Sequence, residues 1–512
     1  MDKRPTYAHE AVMIRSVRPT PCLPVAATLT LKQAALTRWH CVVIGAGPSG
    51  AAVAIRLSQQ GLRVLLVDRE QMPRPKLCGC CLSVTAMTEL LDLGIDLEME
   101  KCLSSAASAD APHAVAPQAT IPAIPLKAVR IVASGKAVRI PLPGGASVSR
   151  EALDTTLVRQ AIDCGAAWLP GLIITSANEN PTPPYPMSQA TRQPTGSMLL
   201  AARLVGSLES DQDPIATTVL LQSETVVIAT GLSDCVRIEG ESLAAKRSVV
   251  AHSRIGVGTT LPPESLDVSS GELIMAVTML GYCGLVRLED GRIDVAAAVD
   301  REFLRVSSGL ADALGKLLLL STIGRSLGRD GDRSLHAALC TATFRATPPL
   351  SHASALVAGS SGRIFRVGDA AGYVEPFTGE GMGWALGSAR IFSDALVASC
   401  SRDASAHATN DWVVQPSDIA AAYSLAHKNL FGPHHQRCLR VSGALRFPIL
   451  VAIAVQCARM APWIAQRLLP MLIGAAAPLS RQGGSRMSAR GRQQKVSHGA
   501  AERPHSPPRQ PC

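Results

Sequence analysis

The stretch HCVVIGAGPSGA, His40–Ala51, decides the fold of this chain. Its apolar run CVVI is typical of a strand buried in a sheet. The glycines that follow have the spacing G-x-G-x-x-G: Gly45, Gly47 and Gly50. Such glycines permit a tight turn, a close approach of backbone to a pyrophosphate, and close packing of a helix on the strand.

The residues after the glycines complete a recognisable unit. A helix is predicted from about Pro48, and its first N–H groups and dipole would favour phosphate. The run RVLLVD, Arg63–Asp68, predicts a second strand that ends in a carboxylate able to hold a ribose hydroxyl. The whole unit predicts a dinucleotide site; the alternative is a glycine-rich turn without a ligand.

A second motif lies about three hundred residues later, in FRVGDAAGYVEPFTGEGMGWALGSA, Phe365–Ala389. It predicts a strand, a Gly-Asp corner, a loop rich in glycine and a helix. A nicotinamide enzyme has no use for this element, whereas FAD is long enough to need it. Asp369 could accept a hydrogen bond from the ribityl chain, or could simply cap a turn. Three glycines would let the backbone pass close to a flat ring: Gly379, Gly381 and Gly383.

Together these residues resemble the FAD-dependent oxidoreductases of the p-hydroxybenzoate hydroxylase fold. PRPKLCGCCLS, Pro73–Ser83, and GDAAGYVEPFTGEGM, Gly368–Met382, are most similar to the geranylgeranyl reductase branch. The family's Arg-x-x-x-Asp helix start is matched by Arg150 and Asp154. The resemblance covers roughly residues 39–475, and its FAD motifs are more specific than its substrate motifs.

The motifs and the resemblance predict a set of cofactor-binding residues. These are Gly45, Ala46, Gly47, Pro48, Ser49, Gly50, Asp68, Arg69, Lys76, Cys78, Arg150, Gly368, Asp369, Pro376, Gly379, Gly381 and Met382. Cys78 is implied to lie near the flavin, and no side chain is assigned a catalytic role because the flavin carries the chemistry. Lys76 and Arg150 would contact phosphate, or would be exposed basic residues at a turn and a helix start.

The predicted fold class is α/β, with a discontinuous Rossmann-type FAD domain, a substrate domain built on a mixed or antiparallel sheet, and C-terminal helices. The predicted boundaries are a disordered N-terminal extension (1–38), the FAD domain (39–105, 150–235 and 355–400), the substrate domain (106–149 and 236–354), a C-terminal helical region (401–478) and a disordered basic tail (479–512).

The charge distribution and the cysteine spacing argue against nucleic-acid binding and against a metal site. The net charge of +10 comes from the two ends, because residues 41–480 carry 37 basic and 37 acidic residues. A nucleic-acid-binding body is therefore not expected. The fourteen cysteines are scattered, which fits reduced thiols in the cytoplasm. Only Cys78 and Cys81 form a Cys-x2-Cys pair, so no metal site is predicted. Two alternatives to a flavin contact stay open: a redox disulfide between Cys78 and Cys81, or a structural role in which Cys78, Cys80 and Cys81 are simply small buried residues.

The apolar stretch Arg446–Gly474 has two interpretations. Prolines and arginines interrupt it before it reaches the ~18–20 apolar residues of a membrane span. It predicts a pair of helices packed on the FAD domain, or a shallow peripheral contact with the inner face of the membrane.

These observations predict an FAD-dependent oxidoreductase, with NAD(P)H as a transient co-substrate because no second nucleotide motif is present. A reductase of a hydrophobic, isoprenoid or polyketide-like substrate is favoured by the resemblance. A monooxygenase of an aromatic or polyketide substrate needs the same motifs and stays open. A non-catalytic flavin-binding or membrane-associated protein is the third alternative; the oligomeric state is left open.

Overall fold

The computed structural model describes residues 22–99, 119–180, 197–205, 218–233, 236–238, 248–250, 252–320, 328–353, 357–359, 361–375, 377, 379–402, 412–414, 416–463 and 466–467. All of them lie in one compact unit, Met1–Ala476. The predicted basic tail (479–512) lies outside the described residues, as do residues 1–21.

An eight-stranded sheet, here called the Rossmann sheet, surrounds the first motif. Its strands are β1 (Arg38–Ile44), β2 (Val64–Asp68), β9 (Ala167–Pro170), β10 (Leu172–Asn180), β11 (Ser197–Leu204), β12 (Val219–Ile228), β13 (Arg237–Ile238) and β21 (Ile364–Arg366). The order is β13-β10-β11-β12-β1-β2-β9, and β21 pairs with β12. Strands β1, β2, β9, β12 and β21 are mutually parallel where they pair, as a βαβ arrangement requires.

Four helices form a layer on one face of the Rossmann sheet. They are α2 (Pro48–Gln59), α3 (Val84–Asp92), α4 (Arg150–Asp163) and α8 (Gly381–Ala398). Helix α3 joins this layer through α8. Helix α2 is buried along most of its length because α4 and α8 flank it. Its small side chains, Ala51, Ala52 and Ala54, permit this close packing. The α/β fold class predicted from the sequence is confirmed.

A smaller four-stranded sheet lies beside these helices. It consists of β3 (Cys81–Leu82), β4 (Ile95–Met99), β5 (Ala119–Pro125) and β8 (Ala146–Ser147). Ile121, Ala123 and Ala146 belong to the same apolar core as α2 and α4. The assignment of all of residues 106–149 to the substrate domain is therefore wrong for β5 and β8, which pack on the FAD-domain side.

A seven-stranded mixed sheet, here called the second sheet, forms the rest of the body. In spatial order its strands are β19 (Arg345–Pro349), β15 (Ile255–Leu261), β18 (Ile293–Val299), β17 (Gly281–Arg287), β16 (Glu272–Thr278), β6 (Ala128–Ala133) and β7 (Lys136–Pro141). Helices α5 (Arg301–Val306), α6 (Leu310–Leu320) and α7 (Gly328–Thr341) follow β18. Leucines of α6 and α7 cover one face of this sheet.

Two strands differ from the sequence prediction. The run Arg247–Val257 is not one strand: β14 (Ser248–Val249) pairs with β20 (His352–Ala353), and His252 has φ +60° before β15 begins. The left-handed backbone at His252 turns the chain between two sheets. Strand β13 pairs with β10, so the Rossmann sheet extends to residue 238 rather than 235.

The N-terminal boundary also needs correction. Residues 22–38 are not a separate extension, because α1 (Leu31–Leu36) and the segment before it pack on the Rossmann sheet. Val25 is buried, and its N–H donates to the Met72 carbonyl at 3.0 Å. Thr28 exchanges hydrogen bonds with the backbone of Trp168. These contacts close the edge near β9.

The C-terminal region contains α9 (Pro416–Ala444) and α10 (Pro448–Met460), preceded by the hairpin of β22 (Cys400–Arg402) and β23 (Trp412–Val414). Helix α9 packs on α8, whereas α10 packs on β6, β7 and β16. Of the two interpretations of the stretch Arg446–Gly474, packing on the FAD domain or contact with a membrane, the first is wrong for α10, which packs on the second sheet. Among the described residues, no single helix has the length and apolarity to cross a bilayer; α9 and α10 meet that test only as a pair bent by 102°.

A buried ion-pair network connects the second sheet to the second motif. Arg254, which is fully buried, donates from Nη1 to Glu375 at 3.0 Å and from Nε to Asp300 at 3.1 Å. Arg446 also approaches Asp300, at 3.4 Å. The Arg254 guanidinium lies 5.6 Å from the ring centre of Tyr282. This network holds Glu375, next to the predicted flavin loop, in one position.

Replacement of Glu375 by alanine should lower the free energy of unfolding by about 3–5 kcal/mol, because it leaves the buried Arg254 partly unpaired. Urea denaturation would measure the change. The matched control is Asp312→Ala, which breaks the exposed Asp312–Lys316 pair and should have little effect. Equal effects of the two substitutions would contradict the importance of burial.

Candidate functional site

The two glycine-rich motifs meet at one edge of the Rossmann sheet. The N–H of Gly45 donates to the carbonyl of Val67 at 2.8 Å, and that of Ala229 donates to Ile44 at 2.8 Å. The N–H of Val367 donates to Ile228 at 3.1 Å. The carboxyl ends of β1, β2, β12 and β21 therefore lie together, where open α/β sheets bind their ligands.

Two glycines of the first motif are required by contact distances. Gly45 has φ +105°, and a Cβ added there would lie 2.5 Å from the Ala229 carbonyl oxygen. A Cβ added at Gly50 would lie 1.9 Å from the Gly45 carbonyl oxygen. A side chain at Gly50 would push α2 away from the end of β1, and one at Gly45 would push the end of β1 away from the backbone that follows β12.

Gly47 has a different environment. A Cβ added there would meet only Arg150 Nη2 within 4 Å, at 3.9 Å. Gly47 is also the N-cap of α2 and supplies no side-chain hydrogen bond to the helix. An uncapped helix N-terminus beside a cation suits a pyrophosphate, so the residues present fit the phosphates of FAD.

Asp68 lies where the sequence predicts the ribose to bind. Its carboxylate accepts hydrogen bonds from the N–H of Ala46 at 2.7 Å and of Glu70 at 3.0 Å, and Arg74 lies 3.3 Å away. A carboxylate has about four acceptor sites, so capacity for a ribose hydroxyl remains. Arg69 is exposed and lies 3.6 Å from Glu70, apart from the buried part of the site.

The second motif lies directly on the first. Gly368 has φ +59°, and a Cβ added there would be 2.6 Å from Ser49 Oγ. Its N–H donates to Ser388 Oγ of α8 at 2.7 Å. Asp369 is half-buried in the 3-10 turn Gly368–Ala371. These contacts place Asp369 on the same side of the sheet edge as Gly47.

The rest of the second motif leads into α8. Gly379 has φ +72°, and its Cβ position is 3.8 Å from Cβ of Cys81. Gly381 begins α8, while the side chain of Met382 is buried in the core, so only its backbone is available to a ligand. Pro376 lies outside the described residues.

Arg150 is a buried residue rather than a surface arginine. Its guanidinium makes two hydrogen bonds to Asp154, at 2.9 and 2.8 Å, and Arg74 approaches the same carboxylate at 3.8 Å. Burial alone would lower the pKa of Arg150, but Asp154 raises it, so the charge is retained. Arg74 thus lies between Asp68 and Asp154, and Arg150 directs Nη2 toward Gly47.

Lys76 is exposed to solvent, although protein atoms of the site surround its charged end. Loss of solvent lowers the pKa of Lys76, and the neighbouring Arg74 and Arg150 lower it further. Its Nζ is 3.4 Å from the Cβ position of Gly231, in the loop after β12. Three cationic side chains therefore converge here, which suits a ligand with two phosphates.

Among the three cysteines of this loop, Cys78 is the one whose thiol pKa is lowered. A hydrogen bond with Cys80 lowers the pKa of Cys78 to about 5, burial opposes this, and the charge of Arg150 supports it. The same contact raises the pKa of Cys80, so Cys80 carries the shared proton. Asp294 of β18 lies beside both thiols, and burial raises its pKa well above the usual range. The hydrogen bond with Cys80 and the charge of Arg150 therefore favour the thiolate form of Cys78.

Sequence reasoning missed several residues at this site. Asp294 is a lone acid within the apolar strand IDVAAAV, and that isolation was the available signal. Leu77 lies over β15, where a Cβ at Gly258 would be 2.0 Å from Leu77 Cδ1. The loop that carries Cys78 is thereby held between the Rossmann sheet edge and the second sheet.

Glu380 is a further residue that the sequence did not single out. It is the N-cap of α8, although its side chain makes no capping hydrogen bond. Burial raises the pKa of Glu380 to about 7, and the charge of Arg437 opposes the increase. Its carboxyl lies 4.0 Å from His434 of α9. Near neutral pH, a fraction of the protein molecules therefore carries Glu380 in its protonated, uncharged form.

Comparison with known proteins agrees with this geometry. Residues 38–166 match the family described as FAD binding domain. The flavin-dependent brominase Bmp2 shares the fold, with a TM-score of 0.53 at 15% identity over 86% of this chain and 94% of that structure. The chain is therefore an FAD-dependent oxidoreductase with the p-hydroxybenzoate hydroxylase fold.

The chain is also similar to two reductase or reductase-like proteins. The chain is 24% identical over 445 residues to menaquinone reductase of Mycolicibacterium smegmatis, which covers 82% of this chain and 91% of the relative. A geranylgeranyl bacteriochlorophyll reductase-like protein from Thermoplasma acidophilum has a TM-score of 0.51 at 16% identity, over 80% of this chain and 88% of that structure. The latter similarity concerns the fold alone.

Replacement of Gly47 by valine should abolish most FAD binding while preserving the fold, because the added side chain would occupy the open position beside Arg150. The flavin absorbance per purified chain measures this. Gly443→Val, at an open position of α9, is the matched control and should retain its flavin. Normal FAD content in the Gly47 variant would show that the pyrophosphate binds elsewhere.

Alkylation of Cys78 should report its low pKa. In the protein freed of flavin, its rate with iodoacetamide should stay constant from pH 8 to about 6 and fall to half near pH 5, the pKa of Cys78. Cys80→Ala removes the hydrogen bond and should shift this midpoint upward. Peptide mass spectrometry resolves the site. A rate that already falls between pH 8 and 7 in the unmodified protein would contradict a thiolate.

Proposed function

We propose that this chain is an NAD(P)H-driven, FAD-dependent reductase of a hydrophobic, isoprenoid-bearing acceptor. When bound, FAD would accept a hydride from the reduced nicotinamide and deliver it to the acceptor. NAD(P)H would bind transiently, since the sequence contains one nucleotide-binding fingerprint. The scattered thiols support a cytoplasmic location for this chemistry.

The observation that carries the proposal is the apolar cluster beside the second motif. Phe377 packs edge-on against Tyr282 of β17, with ring centres 5.1 Å apart. Leu350, Met275 and Tyr373 belong to the same cluster. Tyr373 and Phe377 are only partly buried, so an acceptor that approaches the flavin loop from the second sheet would meet aromatic side chains.

The charges of the site are arranged for the cofactor rather than for an anionic acceptor. Arg74, Lys76 and Arg150 face the first motif, where they would neutralise the two phosphates. Arg254, beneath Tyr282, is neutralised by Glu375 and Asp300. Relatives support the same class of acceptor, because the chain resembles menaquinone reductase over most of its length.

The chain's own residues would then perform three tasks. The N-terminus of α8, without a side-chain cap, would stabilise negative charge that develops on the reduced ring. Glu380 lies at the same helix N-terminus, and its pKa is about 7. Because its carboxyl would be partly protonated at neutral pH, it would repel the negative charge on the reduced ring less than a fully ionised carboxylate would. Cys78 and its loop, held by Leu77, would separate the ring from solvent on the side of the second sheet.

The test is a stopped-flow experiment with the purified holoprotein. After anaerobic reduction by NADPH, an apolar isoprenoid quinone in detergent should reoxidise the flavin faster than small polar acids do. Acceleration by polar acids alone would overturn the proposal. Rapid reaction with oxygen, with a hydroxylated product and no reaction with the quinone, would instead support the monooxygenase alternative.

A further inference from the structure

Helix α10 and its flanking turns expose a continuous set of large apolar side chains. These residues are called the docking face: Phe447, Ile449, Leu450, Ile453, Met460 and Trp463. Their exposed fractions lie between 54% and 78%. Single exposed apolar residues are ordinary on protein surfaces, whereas a contiguous group marks an interaction site.

The opposite side of α10 is packed. Val455 is buried, and Val451 and Ala458 contact the apolar cluster on the second sheet. The spacing of Ile449, Ile453 and Met460 keeps them on the other side of the helix. The helix is therefore fixed to the body with its second apolar side turned outward.

The charge around the docking face has one sign. Six Lys and Arg residues and no Asp or Glu lie in the described chain between Asp418 and Leu468. Lys428, Arg440, Arg459 and Arg467 are exposed in the described part of this segment. An apolar strip in a chain segment whose only charged side chains are cations matches a helix that lies in the interface of an anionic membrane.

We propose that the docking face binds the surface of an anionic lipid bilayer, with α10 in the plane of the headgroups. Phe447 and Trp463, at the two ends of the strip, suit that depth. A second copy of the chain fits less well, because a two-fold contact would bring two cationic surfaces together. Nucleic acid would satisfy the cations but would leave the exposed apolar side chains without partners.

The position of α10 connects this surface to the proposed reaction, and this step rests on the proposed function. The cluster that receives Val451 and Val455 also contains Tyr373 and Phe377, next to the flavin loop. Membrane binding through the outer side of α10 would therefore hold this end of the proposed site close to a lipid-borne acceptor. The bilayer would then be the source of the acceptor.

Vesicle flotation of the full-length holoprotein tests the docking face. The protein should float with vesicles of phosphatidylglycerol and phosphatidylcholine, and less with phosphatidylcholine alone. Ile449→Glu/Ile453→Glu should lower the partition coefficient at least about tenfold, since two apolar anchors are lost and two anions added. Leu319→Glu/Leu320→Glu, at exposed positions of α6, is the matched control and should float like the unmodified protein.

Both variants keep the basic C-terminal segment, so its contribution is equal in each. Equal flotation of the two variants would overturn the proposal. Arg459→Glu gives a second reading: it should weaken binding to anionic vesicles only, and an unchanged partition would count against the charge argument. Reoxidation of the flavin by a detergent-solubilised quinone should persist in Ile449→Glu/Ile453→Glu, so a failure of docking and a failure of the proposed reductase activity are distinguishable.

Discussion

The site depends on the close approach of α2 to the end of β1 at Gly50. A Cβ there would lie 1.9 Å from the Gly45 carbonyl oxygen, so the helix can start directly above the strand only without side chains at these positions. That contact brings the N-terminus of α2 to the sheet edge. It also places Ser49 against Gly368, which joins two motifs more than three hundred residues apart. The positions of the remaining site residues therefore depend on the contact between α2 and the end of β1.

Buried ion pairs fix the positions of the charged side chains around the site. Buried Asp154 holds Arg150, and Asp68 shares Arg74 with it, so the cations keep fixed positions near Gly47. The charge of the same Arg150 lowers the pKa of Cys78, which connects the phosphate end of the site to the loop that carries Cys78. On the far side, Arg254 and Glu375 neutralise each other, and the surface beside Phe377 stays apolar. One end of the site thus suits anions and the other suits an apolar acceptor.

The sequence predicted the parts that local spacing determines. Gly45, Gly47, Gly50 and Asp68 lie within one βαβ unit, and their geometry follows from neighbours in the chain. Asp294 could not be assigned because its relation to Cys78 depends on how the second sheet packs against the first. The same holds for residues 22–38, whose order depends on Trp168, and for α10, which packs on β6 and β7. The split at His252 depends on a left-handed residue that composition does not reveal.

The most direct measurement is the identity and amount of the cofactor released when the purified full-length chain is denatured. Two motifs on one sheet edge, with three cations near the first and an uncapped helix at the second, suit a cofactor with both a pyrophosphate and a ring. The account predicts FAD, close to one molecule per chain. Release of FMN, of a nicotinamide dinucleotide, or of no cofactor from a folded chain that also fails to take up added FAD would contradict it.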